Sequence, residues 1–404
     1  MAENKVVIRE FDEDRDVKVV GKLERNCEIG TTKKGFSIFT NMITDPLSRI
    51  RFYPIRIMLV AELVECRELV GVVRGCIKSV QTSSGSLFKM GCMLGLRVSP
   101  ASRRKGVGLK LVTSIEEWML RNGADYAFLA TEKNNTASKN LFTNKCNYVN
   151  LSSLIIFLHP ITFPITNHIS SKNIKIEKIN IDQAISIYTR ILKTKDLYPL
   201  DMDIILKEKL SLGTWVSYYK DQDFKLNNST EDILTDKITT NSSWIIFSLW
   251  NTCETDDNNN SNNKVQDVKT KLSQPLRFLH ATLNHAKDKI CPCLRMLRNE
   301  SIMCNSFGFL FLYGLHGEGD NLEGLMESVW RFTSSIGEKL KECRVVITEL
   351  GFDDPLVNHV PQIDSMTCVD DMWYAKRLGN HGDDEVVEVM KKQLGNVFVD
   401  PRDF

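Results

Sequence analysis

Arg103-Arg104-Lys105-Gly106-Val107-Gly108 has the residue types and spacing to hold a pyrophosphate. Two glycines allow close backbone approach to a ligand, and the free N–H groups of a helix start point at anionic oxygen. Arg103, Arg104 and Lys105 add charge of the right sign at that end. The bare pattern also reads as a basic, glycine-containing helix entry with no ligand. A P-loop is the competing phosphate cradle, but the lysine followed by serine or threonine after a second glycine is absent. Context favours the cradle, because Leu96-Arg97-Val98 just ahead can offer backbone pairing to an extended ligand arm, and Gly108 and Leu109 lead into an amphipathic helix.

The elements that must position this loop follow from hydrophobic periodicity. Val6–Phe11 is a β-branched run stopped by three acidic residues, and Asp16–Cys27 then carries apolar residues at helical spacing. Ile57–Val64 and Leu69–Val80 are β-rich runs separated by a hairpin-length loop. Cys92–Val98 is a strand ended by Ser99-Pro100, since proline cannot continue a central ladder. From Gly108 to Arg121, Leu109, Leu111, Val112, Ile115 and Trp118 with Met119 share one side of a helix, and Asn122-Gly123 is its stop. A short strand over Tyr126–Ala130, a helix over Thr136–Lys145 and a strand or strand pair over Tyr148–Leu158 complete the series β-α-β-β-β-α-β-α-β. That order indicates an α/β domain with a mixed sheet.

The pattern partly recurs. Ile174–Ile179 echoes the first strand, Asp182–Leu192 the first helix, Phe307–Leu315 the strand before the loop, Leu322–Leu340 the long helix, Val345–Leu350 the next strand and Trp373–Leu378 the last. Residues 1–160 are therefore expected as one domain, 161–173, with its prolines, serines and threonines, as linker, and 174–404 as a diverged second copy. An insertion near 254–265, rich in asparagine and aspartate, cannot bury enough apolar surface to order itself. In the second copy, Gly314-Leu315-His316-Gly317-Glu318-Gly319 replaces the basic loop and carries acid, which argues against a second phosphate site.

A formal net charge of +1 gives no global attraction to nucleic acid or to a membrane surface. The N-terminus lacks a secretory apolar run, and no apolar stretch approaches the roughly 20 residues that span a bilayer. With eleven scattered cysteines read as free thiols, cytoplasm or nucleus is expected. Cys291-Pro292-Cys293 with His280 and His285 matches no strong zinc spacing, so no metal is expected.

The loop resembles motif A of the Gcn5-related N-acetyltransferases, in which Arg or Gln is followed by two residues, Gly, one residue, then Gly or Ala. The resemblance implies the GNAT fold, acetyl-CoA as acyl donor, its pyrophosphate on the backbone of Arg103 through Leu109, and its pantetheine arm paired with the strand at Leu96 and Val98. Asn135–Phe142 resembles motif B, with Asn135 at the helix start beside the cofactor and Phe142 where the family usually has a tyrosine that protonates the departing thiolate. Phenylalanine has no such proton. Nearly the whole chain is also similar to the plant Hookless-type N-acetyltransferases, through stretches such as Val72–Lys78, Leu94–Pro100, Ala130-Thr131-Glu132, Lys209–Thr214 and Val399–Phe404. That likeness implies a place in hormone-linked growth control.

Amine acetylation needs a deprotonated nitrogen, which a carboxylate or histidine near the thioester can assist. No histidine precedes His159, and Glu132 is the best placed carboxylate; a solvated helix-start charge is its bland reading. Arg74, within an apolar strand, is expected to form an edge-facing salt bridge, with contact to the acceptor or to a carboxylate-like group of the cofactor as the other reading. The expected chemistry is direct attack of an amine, on a protein or a small molecule, upon acetyl-CoA. An acetyl-CoA-binding signalling scaffold with little or no turnover is the alternative that Phe142 favours.

Overall fold

The computed structural model describes residues 5–29, 45–161, 173–222, 242–253, 308–379 and 394–404. The asparagine-rich insertion, His280, His285, the Cys291-Pro292-Cys293 stretch and positions 162–172 of the expected linker lie outside them.

The first half runs β1 (Val6–Glu10), α1 (Glu13–Ile29), β2 (Ile55–Leu63), β3 (Leu69–Thr82), β4 (Leu87–Val98), α2 (Val107–Arg121), β5 (Tyr126–Glu132), α3 (Thr136–Lys145) and β6 (Val149–Pro160). The second runs β7 (Ile174–Ile179), α4 (Ile181–Ile191), β8 (Leu197–Pro199), α5 (Met202–Lys207), β9 (Ser211–Tyr219), β10 (Trp244–Asn251), β11 (Gly308–Glu318), α6 (Leu322–Gly337), β12 (Cys343–Gly351) and β13 (Thr367–Arg377). Several elements start where local chemistry dictates. Asp12 Oδ1 accepts from the backbone N–H groups of Asp14 and Arg15 at the head of α1, Asn180 and Gln183 form a capping box on α4, and Asn135 Oδ1 accepts from Ser138 N–H on α3.

The described strands form one sheet in the order β1-β2-β3-β4-β5-β13-β6-β12-β11-β10-β9-β7, with β8 added against β3. Its two central strands are exchanged between the halves. β13, from late in the chain, pairs with β5, and β6 pairs with β12 as well as with β13. The GNAT-type mixed sheet is thus a single surface on which each half is completed by a strand of the other.

One face of the sheet carries α2, α3 and α6. Leu111, Val112, Ile115 and Met119 of α2 are wholly buried over Val73, Ile77 and Leu129, and Leu325, Met326, Val329 and Trp330 of α6 over Phe247, Leu312 and Val346. Each such side chain contributes about 1.5–3 kcal/mol of burial. The other face is covered by α1, α4, α5, residues 45–53 and residues 394–404 over Val72, Cys92, Phe128, Leu154 and Ile347. No described helix is long and apolar enough to cross a membrane.

Candidate functional site

β4 and β5 are parallel, and their ladder runs from the Met90–Tyr126 pair to Met93–Leu129 and stops there. β4 continues to Val98 and β5 to Glu132, so the two strands separate into a wedge. Just past the split, the β3–β4 register shifts between Val72 and Arg74, with Gly95 at φ 59°. A residue other than glycine would be strained there, and its Cβ would stand 2.7 Å from the Arg74 guanidinium. The bulge reverses which residues face which side. Leu96 and Val98 pack toward α2, and Arg97, opposite Val72, turns to the other face with Arg74.

The basic loop closes one end of this wedge. A single 3₁₀ turn over Pro100–Ser102 leads to Arg104 at φ 63° and Gly106 at φ 77°, and Gly106 is the N-cap of α2. No atom lies within 4 Å of the Cβ that Gly106 lacks. The space beside it is open, and the first N–H groups of α2 point into it without intrahelical partners. Arg103, Arg104, Lys105 and Leu109 are exposed. Val107 is different: its side chain is buried in the core under α2, so only its backbone can face a ligand. Gly108 fits between Val98 and Leu141 of α3, at 3.7 and 3.4 Å from where its Cβ would stand.

The structure brings the predicted residues together around the wedge. Arg103 Nε donates to the Val98 carbonyl at 3.1 Å, and the same oxygen accepts from the buried Cys27 thiol. Asn135 N–H donates to the Glu132 carbonyl at 2.9 Å, joining the head of α3 to the end of β5. Glu132 is the last residue of that strand rather than a loop residue beyond it. Burial pushes its carboxyl above the ordinary range, with Arg97 on the opposite rim pulling the other way. Phe142 lies in the core edge-on to Tyr148 and has no acid to offer. Arg74 is buried, paired with Glu24 at 2.7 Å and donating to the Pro46 carbonyl, so its salt bridge is internal and α1 is tied to β3 through it.

Two carboxyls that sequence reasoning passed over share the Glu132 face. Asp371 of β13 is directly opposite Glu132, and Glu349 of β12 is opposite Ile156 of β6, which in turn is opposite Val369. Burial pushes Asp371 up to about 7; Met372 N–H and Arg49 oppose the rise and Glu132 adds to it. Glu349 is 7% exposed, and burial with Asp371 beside it raises its carboxyl well above the usual range. The signal that marked Arg74, a charge within an apolar strand, was present in both segments. What hid them was position, because only the strand exchange carries them to the first half's wedge.

The second half repeats the split. β11 and β12 are parallel from Gly308–Cys343 to Phe311–Ile347, and Gly314 sits at φ 65° beside a register shift against β10. This wedge is filled. The 3₁₀ segment Pro355–His359 packs there, with Leu356 1% exposed and 3.0 Å from the missing Cβ of Gly317. Gly314 to Glu318, expected as the second copy's loop, belong instead to β11, and the acids at the position of the first loop's arginines and lysine are Glu318 at the strand end, Asp320 in the turn and Glu323 in the first turn of α6.

A model of the acetyltransferase (GNAT) family matches residues 44–148. Along nearly its whole length the chain is similar to the "Probable N-acetyltransferase HLS1" of Arabidopsis thaliana, at 34% identity over 98% of this chain and 100% of that protein. It is similar also to "Acetyl transferase GW6a" of Oryza sativa subsp. japonica, at 28% identity over 99% and 97%. Among solved structures, a GCN5-related glucosamine N-acetyltransferase region in a fungal multi-domain GH3 β-N-acetylglucosaminidase aligns with TM-score 0.51 at 11% identity, over 93% of this chain and 38% of that one. A GCN5-related N-acetyltransferase from Anabaena variabilis aligns with TM-score 0.44 at 10% identity, over 93% and 73%.

Proposed function

The chain belongs to the acetyltransferase (GNAT) family and is an N-acetyltransferase, and on that premise we propose that it holds acetyl-CoA in the β4–β5 wedge and passes the acetyl group directly to an amine. The observation that carries this reading is the ladder that stops at Met93 and Leu129 above an open glycine N-cap. Arg103, Arg104 and Lys105 with the N–H groups from Gly106 through Leu109 would take the pyrophosphate. The freed backbone edge at Leu96 and Val98 would pair with the pantetheine arm once Arg103 leaves the Val98 carbonyl. Asn135, fixed at the head of α3, would border the thioester end.

Backbone N–H groups of Leu94 to Val98 would polarise the thioester oxygen, and Glu132 at the rim would receive a proton from the amine. The C–N bond forms as the C–S bond breaks, so no covalent enzyme intermediate is required. With Phe142 in the core, the thiolate takes its proton from the reacting nitrogen or from water. The acceptor amine belongs to a protein or a small molecule. The likeness to the Hookless-type proteins favours a place in hormone-linked growth control, and the scattered cysteines read as free thiols favour cytoplasm or nucleus.

Incubating the full chain with labelled acetyl-CoA and a panel of amines tests the reading. Acetylated product that depends on the protein is the expected result. Saturable acetyl-CoA binding with no product on any amine would favour the scaffold, and no binding at all would refute the site.

A further inference from the structure

Glu132, Asp371 and Glu349 lie on the sheet face opposite α2, so a donor held by the loop and an acceptor meeting these carboxyls reach the wedge from opposite sides. Glu132 and Asp371 are direct cross-strand neighbours, an arrangement that two like charges ordinarily destabilise. Neither forms an ion pair among the described residues: Glu132 has no side-chain hydrogen bond, and Asp371 accepts only from the Met372 N–H, so Arg97 and Arg49 act on them only from a distance. Glu349 is more than nine-tenths buried, and among the described residues its Oε1 has no hydrogen-bond partner. A buried oxygen left without a donor marks a place where a donor is missing. The charged groups facing this row are Arg97 from β4, Arg49 from residues 45–53 and Asp403 near the end of the chain. Arg49 is already engaged, donating to the Asp403 carbonyl at 2.7 Å. Between the carboxyls the partly exposed residues Ile156 and Val369 are apolar, with Leu154 buried beneath.

Resting on the acetyltransferase reading above, we propose that Glu132, Asp371 and Glu349 form the acceptor site, that it takes a linear aliphatic primary ammonium, and that Asp371, rather than its cross-strand neighbour Glu132, removes its first proton. Oxygen acceptors in a row suit an N–H₃⁺ group, and the apolar residues between them suit the methylene chain that carries it. On transfer, one proton passes from the ammonium to Asp371. The free amine forms the C–N bond, the C–S bond breaks, and the second nitrogen proton goes to the departing thiolate, giving amide and CoA thiol. Asp371 then releases its proton to water. The half of the chain whose own wedge is filled thereby supplies two of the three acceptor groups.

The test pairs binding with kinetics on the full chain, using spermidine, a lysine-containing peptide, glutamate and aniline as probes with acetyl-CoA or CoA present. Spermidine or the lysine peptide should bind and be acetylated, and which of them does so identifies the source of the ammonium; glutamate and aniline should be poor. Asp371→Asn should lower kcat by about 100-fold, within the usual range for losing a proton acceptor, with Asp371→Glu recovering part of it. Glu349→Gln should mainly raise the acceptor KM. Both variants should keep the acetyl-CoA Kd of the parent, which also reports that they fold. If both alkylammonium probes fail to bind, if aniline or glutamate matches them, or if Asp371→Asn keeps kcat within about threefold, the inference is wrong. Loss of acetyl-CoA binding in the unaltered chain would instead refute the reading beneath it.

Discussion

The two wedges of this sheet are built alike and finished differently. In each, a parallel ladder ends after four pairs, a glycine of positive φ bulges the strand, and a long helix follows. The first opens on Gly106, with nothing within 4 Å of its missing Cβ, and on three cations. The second is occupied by Leu356 and rimmed by Glu318, Asp320 and Glu323. Backbone topology creates the gap, and a handful of side chains decide whether it holds a ligand or becomes core.

Substitutions can break this contrast. Gly106→Val would place a branched side chain where the pyrophosphate would lie, and losing two charge-assisted contacts of about 1.5–3 kcal/mol each corresponds to at least about 100-fold weaker acetyl-CoA binding by calorimetry. The added atoms meet open space, but at φ 77° a branched residue strains the loop by about 1–3 kcal/mol, so circular dichroism of the variant must show the parent's fold before the affinity is compared. Gly319→Ala is the counterpart, because its Cβ would stand 2.6 Å from the Ser243 Cα. It should lower the denaturant midpoint and leave the acetyl-CoA affinity of folded protein unchanged.

Leu356→Ala would empty the second wedge. A loss of about 2–5 kcal/mol in chemical unfolding is expected for such a truncation. No second acetyl-CoA site should appear, because the acidic rim still repels phosphate.

Asp371→Asn sharpens the account of the exchanged strand. An acid whose carboxyl titrates at about 7 when folded, against 3.8 ordinarily, costs nothing below the lower value and destabilises increasingly as pH rises through the upper one. The variant should therefore melt higher than the parent at pH 8, with the difference vanishing by about pH 4. A smaller effect is expected of Arg103→Ala, which removes an exposed charge from the loop. Acetyl-CoA binding should weaken by about 3- to 10-fold at low salt and by less at high salt.

Much of the site was legible in the residues themselves. The loop, the helix it opens, Asn135 at the head of α3 and the acidic character of the second loop are local facts, fixed by glycine conformation, capping chemistry and periodicity over short spans. Strand identities were equally readable, including β7 and the core of β12. The central pairing was not. β6 and β13 are more than two hundred residues apart in the chain, and nothing in their alternation of apolar and polar residues says which edge each will join. For the same reason Asp371 and Glu349 looked like isolated charges in a distant half, although cross-strand register sets one beside Glu132 and the other on the same face. Strand β9 also passed unread as an element, although the Lys209–Thr214 stretch at its start was noticed.

The stoichiometry of acetyl-CoA on the intact chain tests the contrast between the wedges most directly. Calorimetric titration should give one molecule per chain, lost in Gly106→Val and retained in Leu356→Ala. Two molecules per chain, or undiminished binding by Gly106→Val, would contradict the assignment of the open wedge as the one cofactor site.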